Sequence, residues 1–173
     1  MVMNRLGFAL AALVISIAPL PVRAAAAGTT GLAAVLSAQN WIDGRATAAA
    51  LEGKVVVLDV FTVDCYNCQN VVPTLRELYA KDRSRGLAVI GIHAPETPAE
   101  RDRSYVEAAL ARQGIVWPVA VDNAFTLWNA YGVQAWPTQL IFDRRGRLVR
   151  TVVGDSQDAL VRTTVESLLG ASS

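Results

Sequence analysis

Val55-Val56-Val57-Leu58-Asp59-Val60-Phe61-Thr62-Val63-Asp64-Cys65-Tyr66-Asn67-Cys68 decides the fold. Its first seven residues are a β-branched, apolar run of the kind buried on both faces of a sheet. Its last four hold the only two cysteines of the chain, and they open an amphipathic stretch that runs to about Arg83. A thiol pair placed between a strand and a helix is first of all a redox hypothesis. Asp59 is the anomaly, because a carboxylate inside an apolar run must be paired, solvated or kept protonated.

Downstream of the cysteines, Val71, Val72, Leu75, Leu78 and Tyr79 recur at helical spacing, with Pro73 expected to kink that helix. Leu87 to His93 is a second β-rich run, and strand, helix, strand in this order makes a parallel βαβ unit. A further helix is expected over Thr97 to Gln113 and a short strand over Ile115 to Val121, with Pro118 arguing for an edge or bulge. A helix carrying Phe125, Leu127, Trp128 and Tyr131 follows, capped by Asp122 or Asn123. Thr138 to Phe142 and Arg147 to Val153 flank the turn Asp143-Arg144-Arg145-Gly146 and predict a hairpin. A last helix is expected after a cap at Asp155 or Ser156. Trp41-Ile42 before Asp43-Gly44 suits a small strand on the domain edge. Together these predict an α/β fold: a mixed central sheet with helices on both faces and an inserted segment between its βαβ and ββα halves.

The start of the chain reads differently. Arg5, the apolar stretch Leu6 to Leu20, two prolines and Val22-Arg23-Ala24 have the layout of an export signal cleaved after Ala24. A retained anchor is the alternative, although spanning a bilayer takes about 20 apolar residues and this run is shorter. The expected organisation is residues 1–24 as signal peptide, 25–35 as a flexible lead-in, and 36–173 as one domain. The location is then periplasmic or otherwise exported, with no membrane span in the mature chain.

The formal charge of the whole chain is +1. Removing residues 1–24 takes away Arg5 and Arg23 and no acid, leaving a near-neutral protein with no electrostatic case for nucleic acid. Arg144, Arg145, Arg147 and Arg150 are read as a solvated hairpin. The chain is 53% hydrophobic, enough for a real core, and that bears on the cysteines. A structural disulfide closing so short a loop would stabilise by only about 2 kcal/mol, against roughly 3 for a fifteen-residue loop. A closed zinc site needs more ligands than one cysteine pair provides, and His93 is the only histidine. Two thiolates could still take Cu(I), so a copper carrier stands as the rival to redox exchange.

Four features together resemble the thioredoxin fold: Asp59 ahead of Cys65, the Cys65-Tyr66-Asn67-Cys68 motif, Pro73 within the following helix, and Gly132-Val133-Gln134-Ala135-Trp136-Pro137-Thr138 before the hairpin. The inserted segment, Leu51-Glu52-Gly53-Lys54-Val55-Val56 and Gly91-Ile92-His93-Ala94-Pro95-Glu96 are similar to the secreted TlpA/ResA/DipZ-type branch. The resemblance implies a thioredoxin-like domain and a thiol–disulfide oxidoreductase. Cys65 would be the nucleophile, Cys68 the resolving thiol and Asp59 a buried proton acceptor, with Glu96 a second candidate for that role. Pro137 would be cis, and Trp136 and Tyr66 would belong to the substrate-docking surface. It further implies protein thiol or disulfide substrates, a membrane electron donor, and no cofactor or metal beyond the Cys65–Cys68 disulfide. Asp64 beside Cys65, and the absence of positive charge at Tyr66 and Asn67, favour a reductant over an oxidising enzyme.

Overall fold

A computed structural model describes residues 31–171, so the expected signal peptide, residues 1–24, lies outside the described residues. The strands are β1 (Trp41–Ile42), β2 (Val55–Phe61), β3 (Leu87–His93), β4 (Val119–Val121), β5 (Thr138–Phe142) and β6 (Leu148–Val153). The helices are α1 (Ala33–Leu36), α2 (Ala48–Leu51), α3 (Tyr66–Asp82), α4 (Arg103–Gln113), α5 (Thr126–Ala130) and α6 (Asp158–Gly170). The strands form one mixed sheet in the order β1-β4-β3-β2-β5-β6. β2, β3 and β4 run parallel, while β5 is antiparallel to β2, β6 to β5 and β1 to β4.

β2 lies between β3 and β5, and all seven of its residues are buried. This is why its sequence is a continuous apolar run and not an alternating one. Side chains still alternate between faces. Val55, Val57 and Phe61 join a core with residues of α3, α4 and α6, and Val56, Leu58 and Val60 join a second core with residues of α1, α2 and α5. Helices therefore cover both faces. Gly91 of β3 is required by this packing: a Cβ there would come within 2.9 Å of both the Phe61 ring and Val119 Cγ2.

Several local expectations are corrected. The flexible lead-in expected over 25–35 is, at its described end, the helix α1, whose Val35 is fully buried and donates its N–H to Tyr131 Oη at 3.1 Å. The helix expected from Thr97 splits into a 3-10 turn, Ala99–Arg101, and α4. Asp102 breaks it by accepting the Tyr105 N–H as an N-cap. The strand expected from Ile115 begins only at Val119, after Pro118. Asp155 and Ser156 do not cap α6, which starts from Gln157; Asp155 instead accepts from Asn70 Nδ2 at 2.9 Å. Arg144 is not simply solvated, since it donates to the Gly53 carbonyl at 2.9 Å across the end of the sheet. Helix α3 runs through Pro73 as one element, and Asp122 takes the N–H groups of Leu127 and Trp128 at the start of α5.

Candidate active site

β2 ends at Phe61, the loop Thr62-Val63-Asp64 follows, and Cys65 is the N-cap of α3 with an extended backbone. Its Sγ accepts the N–H of Cys68 at 3.2 Å, one of the amides that a helix start leaves without an intrahelical partner. Both cysteines are free thiols, Cys65 partly exposed and Cys68 buried. The pair is thus asymmetric: one sulfur is reachable, and the other sits one turn deeper. Burial pushes the Cys68 thiol well above its usual range, and the hydrogen bond with Cys65 and the nearby Asp59 carboxylate act in the same direction. Cys68 therefore needs a proton acceptor before it can act as a nucleophile.

Asp59 is the carboxylate whose charge is felt at Cys68. It lies on the face of β2 that looks toward α3, 2% exposed. In the sheet it sits between Gly91 of β3 and Gln139 of β5. Gln139 Nε2 donates to Asp59 Oδ1 at 2.9 Å. Burial raises the Asp59 carboxyl to about 6, against the opposing effect of that hydrogen bond. A carboxyl titrating near 6 is suited to exchanging protons at neutral pH.

Glu96, the second expected acid, is not brought into this arrangement. It is exposed, and its backbone N–H donates to another carboxylate, that of Glu100, at 2.7 Å. Glu100 is fully buried and passes unnoticed in the sequence, because Thr97, Arg101 and Asp102 around it are polar and no hydropathy signal marks it. Its Oε1 accepts from the Thr62 hydroxyl and, at 3.0 Å, from the Asp64 N–H; its Oε2 accepts from the N–H groups of Glu96 and Thr97, both at 2.7 Å. Burial works against its ionisation, but these donors outweigh it and hold the carboxyl below its usual range.

The loop before Cys65 is fastened at further points. The Val63 carbonyl accepts from Gln69 Nε2 and Gln113 Nε2, and the Asp64 carboxylate accepts from Tyr105 Oη at 2.9 Å. Three residues of the inserted segment, Glu100, Tyr105 and Gln113, therefore grip the loop that leads into Cys65. His93 is fully buried at the end of β3, edge-on to Phe61 with ring centroids 5.7 Å apart. Burial lowers its pKa to about 4, against the pull of Glu100 and Asp64.

The Trp136–Pro137 peptide bond is cis, as the resemblance implied. It stands one step beyond the Val60–Thr138 pair of β2 and β5, at the end of the sheet from which the Cys65 loop leaves. Trp136 is partly buried, donates Nε1 to the Ala94 carbonyl at 3.1 Å, and packs on Trp128 with centroids 4.5 Å apart. Trp128, expected as part of the helix that follows Asp122, thus packs beside the expected docking residue Trp136. Trp117 is fully buried, and Tyr66 is 74% exposed.

The AhpC/TSA family matches residues 32–151. The chain is 34% identical over 120 residues to Protein DipZ of Mycobacterium bovis, covering 69% of this chain and 17% of that protein. It is 30% identical over 105 residues to the thiol-disulfide oxidoreductase ResA of Bacillus anthracis, covering 61% of this chain and 58% of that one. It therefore spans about a sixth of the first curated relative it matches. The solved thiol-disulfide isomerase of Corynebacterium glutamicum superposes with a TM-score of 0.71 at 26% identity, covering 79% of this chain and 95% of that one.

Proposed function

The chain belongs to the AhpC/TSA family and has a thioredoxin fold, and we propose that it is an exported thiol–disulfide oxidoreductase that reduces protein disulfides through Cys65 and Cys68. The observation that carries this reading is the asymmetric pair itself: a reachable sulfur at the start of α3 that accepts the Cys68 backbone N–H at 3.2 Å, a buried Cys68 thiol one turn on, and a buried carboxyl on the strand beneath. In the dithiol form the Cys65 thiolate attacks a substrate disulfide. A Cys65–substrate disulfide forms, and the other substrate sulfur leaves with the electron pair and takes up a proton. Asp59 then accepts the Cys68 proton. The Cys68 thiolate attacks Cys65 Sγ, the Cys65–Cys68 disulfide forms, and the second substrate thiolate departs. The substrate gains two electrons and the protein loses two, so a two-electron thiol donor, in this reading one linked to the membrane, restores the dithiol. No cofactor is required beyond the disulfide.

The direction is supported by charge. A strong oxidant owes its potential to a stabilised reduced form, and here the residue before Cys65 is an exposed acid, held by Tyr105, while Tyr66 and Asn67 bring no cation. Export is supported by the leader-like residues 1–24. The deciding experiment is Cys68→Ala in the exporting cell, with recovery of proteins disulfide-bonded to Cys65, together with the reduction potential of the purified chain. Substrates trapped through Cys65 and a potential near −270 mV, about that of thioredoxin, are expected. A potential near −120 mV would reverse the direction, and stoichiometric Cu(I) uptake without disulfide reductase activity would replace the function with copper carriage.

A further inference from the structure

Gln139 stands directly across from Asp59 in the antiparallel pairing of β5 with β2. It is 1% exposed, and its Nε2 donates to Asp59 Oδ1 at 2.9 Å, while its Oε1 is buried and has no hydrogen-bond partner among the described residues. A polar side chain in the middle of a sheet face is costly, and half of this amide is unsatisfied. The remaining neighbours do not explain it. In the same row of the sheet β3 presents Gly91 and β6 presents Val152, and α6 contributes Val161, Val165 and Leu169 to this core. The ionisable groups linked to Asp59 come from α3: Cys68, and Cys65 through it.

We propose that Gln139 is a positioning residue for Asp59, and that its side-chain amide reverses by a half-turn about its last bond as Asp59 gains and loses a proton. With Asp59 ionised, the NH₂ group donates to the carboxylate, as the structure shows. With Asp59 protonated, Oε1 accepts the acid's O–H, and the lone pairs that now lack a partner acquire one. A carboxamide offers both a donor and an acceptor at the same reach. A methyl-ended residue would serve neither state, and an acid at 139 would oppose ionisation of Asp59. The carboxyl stays in one position throughout the transfer from Cys68, and only the amide turns.

This inference rests on the proposed exchange reaction for its purpose but not for its test. The full chain in its dithiol form, with ¹³C-labelled Asp and ¹⁵N-labelled Gln, is titrated by NMR. The Gln139 amide signals are expected to move with the same midpoint as the Asp59 carboxyl. Gln139→Met and Gln139→Leu are expected to raise that midpoint by about one pH unit, the scale of one hydrogen bond to a charged group. The pH profile for release of a substrate thiol from the Cys65 mixed disulfide should move by the same amount. An Asp59 midpoint unchanged in both variants, or a Gln139 amide silent across the Asp59 titration, would overturn the inference. If no mixed disulfide forms in the wild type, the proposed reaction fails while the titration still decides the role of Gln139.

Discussion

Glu100 Oε1 accepts the backbone N–H of Asp64 at 3.0 Å, so the residue just before Cys65 is held by a carboxylate 36 positions away. The same carboxylate collects the Thr62 hydroxyl and the N–H groups of Glu96 and Thr97. Two loops at the active end of the sheet are thereby tied to one buried anion, and the inserted segment becomes a brace for the Cys65 loop.

Glu100→Ala strands one hydroxyl and three amides, and is expected to destabilise the protein by about 3 kcal/mol, with Glu100→Gln roughly half as severe. Urea denaturation at pH 7 measures both. The folded Glu100 carboxyl lies below its usual value, so its stabilisation is complete above the unfolded pKa near 4.5 and is lost as pH falls below it. Equal stability of wild type and Glu100→Ala at pH 7 would remove the brace.

His93 is a base whose folded pKa, about 4, lies below its ordinary value of 6.5 because of burial. The unfolded chain takes up a proton first, and stability falls as pH drops from 6.5 to 4, by about 3 kcal/mol in all. His93→Leu should abolish this acid-side loss in denaturation curves collected between pH 7 and 4. An unchanged slope in the variant would show that the histidine is not held neutral by burial.

Asp59 has the opposite sign. Its folded value is raised from 3.8 to about 6, so the stability it contributes is fully present below 3.8 and is lost as pH rises through 6. Asp59→Asn is therefore expected to stabilise the chain at pH 8 by up to about 3 kcal/mol, with the advantage gone by pH 4. The same variant should slow release of substrate thiol from the mixed disulfide at neutral pH, visible in single-turnover kinetics. Faster folding loss at pH 8 would contradict the buried-acid assignment.

Gly91→Ala places a methyl against the Phe61 ring and Val119. Overpacking of this kind costs about 1–3 kcal/mol, and because Phe61 ends the strand that leads to Cys65, the reduction potential should shift along with the thermal midpoint. Neither should move if the ring can step aside.

The central strand, the cysteine-bearing helix and the hairpin were legible because each is a local pattern: a β-branched run at Val55–Phe61, helical spacing from Val71 to Tyr79, and turn residues at 143–146. The cysteine pair and Asp59 were legible for a related reason, being rare residue types at conspicuous positions in that pattern. Glu100 was not, since a buried acid among polar neighbours looks like any surface acid until the fold closes over it. Gln139 was hidden differently. Its meaning depends on β5 lying beside β2 in a register that sets it opposite Asp59, and register belongs to the whole sheet, not to either strand. The docking of α1 through Val35, and the joining of Trp128 to Trp136, likewise exist only between segments far apart in the chain. Local patterns were enough for the central strand, the cysteine-bearing helix, the hairpin and the sulfur pair they present. The tertiary structure alone decided which polar side chains face one another in the dark of the core, because burial and partnership are properties of contacts that no single stretch contains.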